Sequence, residues 1–368
     1  MHITLFIYIG RLFMFWFIAV FLGLTAIVYL LDTIELLRRV QRIEIPLGLL
    51  LKLAALKLPF LVMEIFPFVI LFSAMLCFWR LARSNELTVV RASGVSVWQF
   101  LLPALVIAVA IGSLRVGVFN PLAAATYAGY ETLEAQIFRG RTSQMAVGQN
   151  GFWLRQASSG NNSVIHALRV TSEQLDLYDV IIWNFARPAA GGEGGDRFIS
   201  RIDAKTARLE PGAWILTEAN VSLPDRPSTL QGTYRLPTDM TREQIQDAFA
   251  APETISFWDL PGFIATLENA GFSARRHLLH FHRLLASPLL LTGMVLIAAT
   301  VSLRPPRRGG GLTMVVLGII AGFMLYFVSN LIAALGLSSA IPIYLAAWAP
   351  ATVMALLGVT TLLHQEDG

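Results

Sequence analysis

Six stretches of about twenty residues, each almost free of charge, are split three and three by a single polar block of roughly 150 residues. The uncharged runs are Leu12–Leu31, Leu58–Trp79, Val95–Leu114, Leu284–Leu303, Gly310–Leu337 and Ala340–Leu363, and Glu64 is the one formal charge within them. A helix rises about 1.5 Å per residue, so each run crosses a hydrocarbon layer roughly 30 Å thick. A chain with this layout folds as a helical membrane protein, three spans on either side of a large extramembrane insertion.

Composition narrows the function classes. Hydrophobic residues make up 55% and charged residues 14% of the chain, which separates it from ordinary soluble domains. The net charge of +4 is small and dispersed, so nucleic acid is not an expected partner. The lone cysteine, Cys77, falls inside the second span, which leaves no intrachain disulfide. The first span is followed by Asp32-Thr33-Ile34-Glu35 without a small-residue cleavage site, and it reads as a retained anchor.

Charge at the span ends sets the expected orientation. Arg11, Arg80, Arg83, Arg91, Arg304, Arg307 and Arg308 gather on the short segments of one face. Basic residues near span ends favour the cytoplasm, whereas long domains translocate largely regardless of charge. That face is expected to be cytoplasmic, with both termini inside and the central domain outside. Arg38, Arg39 and Arg42, with Lys52 and Lys57, then sit on the outer side, against the usual bias. Either they anchor the interface by snorkelling, or they bind an anionic headgroup.

The polar block reads as strands. Apolar and polar residues alternate through Val164–Val170, Leu175–Phe185, Phe198–Leu209 and Trp214–Leu223, the period of half-buried strands. Glu210-Pro211-Gly212 predicts a hairpin turn, because proline pre-sets the first central position and glycine accepts positive φ at the second. Pro188–Asp196 reads as a loop, Asp225–Pro237 as irregular, Arg242–Phe249 as a short helix, and 255–276 as a helical connector with Trp258, Leu260, Phe263 and Leu267 on one side. The expected plan is residues 1–119 as spans one to three, 120–275 as an all-β sandwich or jelly-roll-like domain with its connector, and 276–368 as spans four to six. An open sheet edge there offers a site for strand addition from another chain.

Catalytic signatures are missing. No Gly-Lys dipeptide occurs, hence no Walker loop, and neither an HExxH pair nor a GxSxG elbow is present. His277, His280 and His282 cluster where span four begins, and the choice there is between a metal site and headgroup neighbours. Glu64 reads either as a proton relay or as the partner of Lys57 or Arg42. The link between spans two and three, from Arg83-Ser84-Asn85-Glu86-Leu87 through Arg91 to Gly94, predicts a short helix along the cytoplasmic face, capped by Ser84 and stopped by Gly94. A chain without a nucleotide site but with such a docking helix fits a transporter subunit driven by a separate ATPase. A lipid-modifying membrane enzyme and a structural scaffold are the alternatives. Gly318-Ile319-Ile320-Ala321-Gly322 in span five is a small-xxx-small arrangement, which packs either within the chain or against a partner.

The three-span, β-domain, three-span layout, with Arg83-Ser84-Asn85-Glu86-Leu87-Thr88 running into Arg91-Ala92-Ser93-Gly94-Val95-Ser96, resembles the LptF/LptG permeases of lipopolysaccharide export. Gly309-Gly310-Gly311 after a basic loop and Ile341-Pro342 ahead of Ala346-Ala347-Trp348-Ala349-Pro350 carry the same likeness. Gly336-Leu337-Ser338-Ser339-Ala340-Ile341-Pro342 resembles the LptG branch. The resemblance implies a non-enzymatic inner-membrane subunit paired with its LptF paralogue, an LptB ATPase dimer beneath, and a single-span LptC alongside. It implies extraction of lipopolysaccharide and its passage to a bridge of periplasmic jelly rolls. The chain itself holds no cofactor, and ATP and magnesium are used by the ATPase. By the same resemblance, Arg83, Ser84, Asn85, Glu86, Leu87, Arg91 and Gly94 form the ATPase-coupling helix, and Gly318 and Gly322 lie on a span that forms a lateral gate with span one. Arg38, Arg39, Arg42 and Lys57 are the expected headgroup cations, and Phe13, Phe17, Phe21 and Leu24 the expected acyl-chain contacts. The cationic cluster departs from the family pattern, because it follows Asp32 and Glu35 where the family has lysines nearer the span.

Overall fold

The computed structural model describes residues 3–40, 46–139, 145–148, 151–158, 161–171, 176–186, 197–224, 226–238, 240, 250–269, 273–302 and 310–366. Within them the chain divides into two compact units, a helical one (1–133, 253–258 and 275–368) and a β one (134–252 and 259–274).

Six helices among the described residues are long and apolar enough to cross a membrane. With no water in the bilayer to satisfy N–H and C=O groups, the apolar runs close their backbone hydrogen bonds internally and form α1 (Ile3–Val40), α2 (Leu47–Arg83) and α4 (Val97–Leu114). A seven-residue helix, α3 (Glu86–Ala92), lies between the last two. The third span does not stop at 119. A π-type turn over Arg115–Phe119 passes into α5 (Asn120–Glu134) and a second π-type turn over Ala135–Arg139, so the boundary expected at 120 falls inside one long helix. The reason is local: Leu122, Ala123, Ala124 and Ala125 favour helix, and no strand-period alternation begins before Met145. The last three spans are α7 (Arg275–Ser302), α8 (Gly310–Leu337) and α9 (Ile343–Glu366).

The bundle core is built on α7, which packs against α2, α4, α8 and α9. Phe13, Phe78, Phe100, Leu71, Met75, Leu291 and Met294 are fully or nearly fully buried in it. Helices approach closely where side chains vanish. A Cβ on Gly112 would stand 2.6 Å from the Cα of Pro288, and one on Gly358 would stand 2.5 Å from the Cβ of Leu296. Pro67, inside α2, removes the amide that would bond the carbonyl of Met63 four residues back. Arg115, at the start of the π turn, fills that gap by donating to the Met63 carbonyl oxygen at 3.0 Å. Two backbone irregularities on neighbouring helices are thus tied by one guanidinium.

Among the described residues the β unit is a seven-stranded antiparallel sheet whose strands pair in chain order. They are β1 (Met145–Gly148), β2 (Gly151–Ser158), β3 (Asn161–Thr171), β4 (Asp176–Ala186), β5 (Arg197–Glu210), β6 (Ala213–Leu223) and β7 (Arg226–Pro237). The central all-β domain is as expected, but its topology is a meander, without the long crossovers of a Greek-key jelly roll. Short turns such as Pro211-Gly212 dictate this, since a two-residue loop joins only neighbouring antiparallel strands. Gly212 sits at φ +81°, as the hairpin requires.

Residues 226–237, read as irregular, form β7, and pairing with β6 overrides their weak alternation. Most of β7 is exposed on both faces, which hid the strand from a periodicity argument. The helix expected over 242–249 and the loop over 188–196 lie outside the described residues. Among the described residues the connector holds α6 (Leu260–Asn269), with Leu260, Ile264 and Leu267 buried, while Trp258 ahead of it is exposed and outside the helix.

The inner face of the sheet is apolar and filled. Phe152, Leu154, Ile165, Leu177, Ile182, Ile202, Trp214 and Leu216 are each at most 1% exposed. At one end of this interior a polar row crosses three strands. The Ser163 hydroxyl donates to Asn184 Oδ1 at 2.7 Å, and Asn184 Nδ2 donates to Ser200 Oγ at 3.1 Å. Gln156 Oε1 accepts from Trp214 Nε1 at 3.2 Å and from the Thr238 hydroxyl at 2.7 Å, which ties β2 to β6 across the interior.

Candidate functional site

The link between spans two and three is ordered residue by residue. Ser84 ends α2: its hydroxyl donates back to the carbonyls of Arg80 (3.0 Å) and Leu81 (3.3 Å). It was expected to cap α3; being hydrogen-bonded to the preceding turn, it closes the earlier helix. Asn85 makes the reversal at φ +59°, a conformation that asparagine tolerates better than most residues, and its carbonyl accepts from Val89 N at 3.2 Å. Gly94 stops α3 at φ +82°, as its position predicts. Ser96 then caps α4 by accepting from Gln99 N at 3.3 Å.

Leu87 is 7% exposed and belongs to the bundle core, with Val90 packed beside it, so α3 is fastened to the spans by its apolar side. The opposite side shows Thr88 and Val89 to solvent, the latter 68% exposed. Arg83 stacks over Trp79, 5.2 Å from the ring centroid. Glu86 is not free-standing, because the Tyr8 hydroxyl of α1 donates to its Oε2 at 2.8 Å. Neither Tyr8 nor Val89 was singled out from the sequence. An exposed apolar side chain in a polar turn was the available signal for the second, and none existed for the first.

At the other end of α1 the cations divide into two groups. Arg39 pairs with Glu35 one turn earlier, at 2.6 Å, with both side chains more than half exposed, and Arg38 is exposed beside it. Arg42 lies outside the described residues. Lys57 belongs elsewhere. Its ammonium meets Asp32 Oδ1 at 2.5 Å, the side chains are 17% and 7% exposed, and it also stands 5.7 Å from the centre of the Tyr130 ring. Lys57 therefore ties α2 to α1.

Of the two partners expected for Glu64, Lys57 is paired with Asp32 and Arg42 lies outside the described residues. The electrostatic neighbours of Glu64 are Arg283, Glu253 and Arg115 as well as Lys57, and among the described residues no ion pair joins it to any of them. The membrane face of α1 also differs from expectation in part. Phe13 is fully buried in the bundle core, among residues of α2, α4 and the later spans. An acyl chain cannot reach it without opening that core. Phe17 and Phe21 are half-buried and form a ring cluster with Phe66, at centroid separations of 5.8 to 6.5 Å, and Leu24 is half-buried too. Phe15, Ile18 and Leu22 make the exposed apolar stripe.

Gly318 and Gly322 pack within the chain. A Cβ on the first would fall 2.6 Å from the Met75 sulfur, and on the second 2.8 Å from the Phe68 ring, both on α2. The far side of α8 presents Ile319, Ile320, Phe323 and Phe327 outward. Among the described residues no group of three or more histidine, cysteine or acidic side chains has an arrangement that would hold a metal ion.

A model of the lipopolysaccharide export system permease LptF/LptG family matches residues 7–364. The lipopolysaccharide export system permease protein LptG of Escherichia coli strain K12 is 25% identical over 309 residues, covering 82% of this chain and 81% of that protein. The LptG protein of E. coli O6:H1 strain CFT073 matches to the same extent. The family match runs from near the start of α1 to the last turn of α9, and it takes in every span, α3 and the inserted sheet together. The chain is a multi-pass inner-membrane protein and belongs to the LptF/LptG family of lipopolysaccharide export permeases.

Proposed function

We propose that this chain is the LptG-type half of an ATP-driven lipopolysaccharide extractor, working with an LptF paralogue, an LptB ATPase dimer and LptC. The observation that carries the reading is α3: a short helix fastened to the spans through Leu87, with an acidic residue at its start and Thr88 and Val89 outward. It is the surface on which an ATPase seats. The arginine-rich face that bears α3 is cytoplasmic by the charge bias of its short loops, and the β unit is periplasmic.

The exposed Arg38 and Arg39, with Arg42, meet the phosphates of lipid A, for which guanidinium offers a bidentate fit. Acyl chains lie along the exposed stripe of α1 and the half-buried rings of Phe17 and Phe21. The spans α1 and α8 form the lateral gate, and Gly318 and Gly322 hold α8 to its own bundle while its outward face meets the partner. Removing an acyl chain from lipid costs about 0.8 kcal/mol per methylene, so extraction needs an energy source. ATP bound by the partner subunit supplies it. The β unit then receives the lipid and passes it to the periplasmic bridge by way of an exposed sheet edge such as β7.

Purification of the complex in mild detergent tests this. The wild-type chain brings down an ATPase, and Glu86→Lys loosens it while the sheet stays folded. Unchanged ATPase recovery with Glu86→Lys refutes the role of α3, and the absence of any ATPase from the wild-type preparation refutes the reading as a whole.

A further inference from the structure

We infer that Tyr8 is a positioning residue for energy coupling: its hydroxyl ties the docking helix α3 to span α1, so that displacement of Glu86 is passed directly to the helix carrying the outer cations. The inference rests on the proposed role of α3 and goes beyond it by naming a second helix on which that segment acts.

The sequence neighbours of α3 are α2 and α4, and Leu87 joins it to a core that those spans share with Ile9, Leu12 and Phe13 of α1; a direct polar tie from α3 to α1 is a separate feature. Tyr8 lies 78 residues from Glu86 in sequence, on a different span, and its hydroxyl donates to the carboxylate at 2.8 Å. Across the short axis of α3, Leu87 enters the bundle core while Glu86 turns to α1. One residue therefore anchors the helix to the bundle body and the adjacent one anchors it to α1.

The span α1 is continuous from Ile3 to Val40, with no proline and no π turn, so it moves as a rod. Tyr8 and Arg39 lie about 46 Å apart along it at 1.5 Å per residue. Between them, Asp32 holds Lys57 of α2. The rod is seated in the bundle core through Ile9, Leu12 and Phe13, tied beside that seat by the hydrogen bond to the docking helix and farther along by the ion pair, with exposed arginines beyond the second tie. A pull on Glu86 turns or shifts α1 against α2 about the Asp32–Lys57 contact and moves Arg38 and Arg39.

The bond is exposed and Glu86 is charged, two conditions under which its strength depends on geometry and not on burial. Phenylalanine at position 8 keeps the ring and removes only the donor. Glutamine at position 86 keeps an acceptor oxygen, whereas alanine removes it.

The test uses the complete complex reconstituted in vesicles, with ATP hydrolysis and release of lipopolysaccharide to a periplasmic acceptor measured together. Tyr8→Phe is expected to retain the ATPase and to lower lipid released per ATP hydrolysed about fivefold, the factor matching one hydrogen bond of ordinary net strength. In a Glu86→Gln background Tyr8→Phe still lowers the ratio, and in a Glu86→Ala background it adds nothing. That background dependence is a readout that a merely structural tyrosine would not give. Wild-type release per ATP in Tyr8→Phe overturns the inference, as does an equal further loss in the Glu86→Ala background. Failure of the underlying reading looks different, because then the wild-type preparation itself contains no ATPase and releases no lipid.

Discussion

Replacing Lys57 by methionine separates a structural tie from a lipid-binding cation. The ammonium and Asp32 lie 2.5 Å apart with only 17% and 7% of their side chains exposed, and Asp32 Oδ2 is buried without a hydrogen-bond partner among the described residues. Methionine keeps the length of the side chain and strands the carboxylate. Breaking a buried pair by removing one partner costs about 3–5 kcal/mol, whereas replacing both partners by neutral groups is often close to neutral. Lys57→Met and Asp32→Asn should therefore each destabilise strongly. The double variant should recover most of the loss, giving a coupling energy of about 2 kcal/mol or more.

Membrane proteins unfold irreversibly, so the measurable quantity is a half-life at fixed temperature in mild detergent, followed by tryptophan fluorescence. A loss of about 3 kcal/mol felt fully in the unfolding barrier shortens it on the order of a hundredfold. Photocrosslinking to lipopolysaccharide is read on the same samples. If Lys57→Met keeps the wild-type half-life yet abolishes crosslinking, the lysine faces the headgroup and the assignment of its charge to Asp32 is wrong.

Other outcomes follow from the packing. Leucine at Gly318 or Gly322 would overlap Met75 or Phe68 of α2, and such overpacking costs about 1–3 kcal/mol. The expected signs are a shorter half-life and weaker α8–α2 crosslinking; unaltered values would place that face of α8 against lipid. In the β unit, Gln156→Leu removes the acceptor shared by Trp214 Nε1 and the Thr238 hydroxyl, and an orphaned buried donor costs about 1–3 kcal/mol. A lowered melting point and a changed indole emission are expected in the full-length protein. An unchanged emission maximum would mean that the β2–β6 tie is not closed in solution.

Hydrophobic run length and turn chemistry together determined a large part of this protein. The six spans, the strands β3 to β6, the Pro211-Gly212 hairpin and the Gly94 stop of α3 are local properties, written in residues adjacent to one another. The resemblance to a permease family was legible for the same reason, since its motifs are short and contiguous. Local pattern does not decide structure where tertiary pairing overrides it. The strand β7 exists because β6 offers it a partner, and Ser84 closes α2 because the carbonyls of Arg80 and Leu81 lie within reach.

Only the folded arrangement decided the partners of the polar groups. Lys57 finds Asp32 across 25 residues, Arg115 finds the Met63 carbonyl across 52, and Tyr8 finds Glu86 across 78. Periodicity assigns a residue to a face of its own helix, but not to the depth or rotation at which a second helix meets that face. Those follow from where glycine permits close approach and where proline frees a carbonyl, and so they emerge from packing the whole bundle at once.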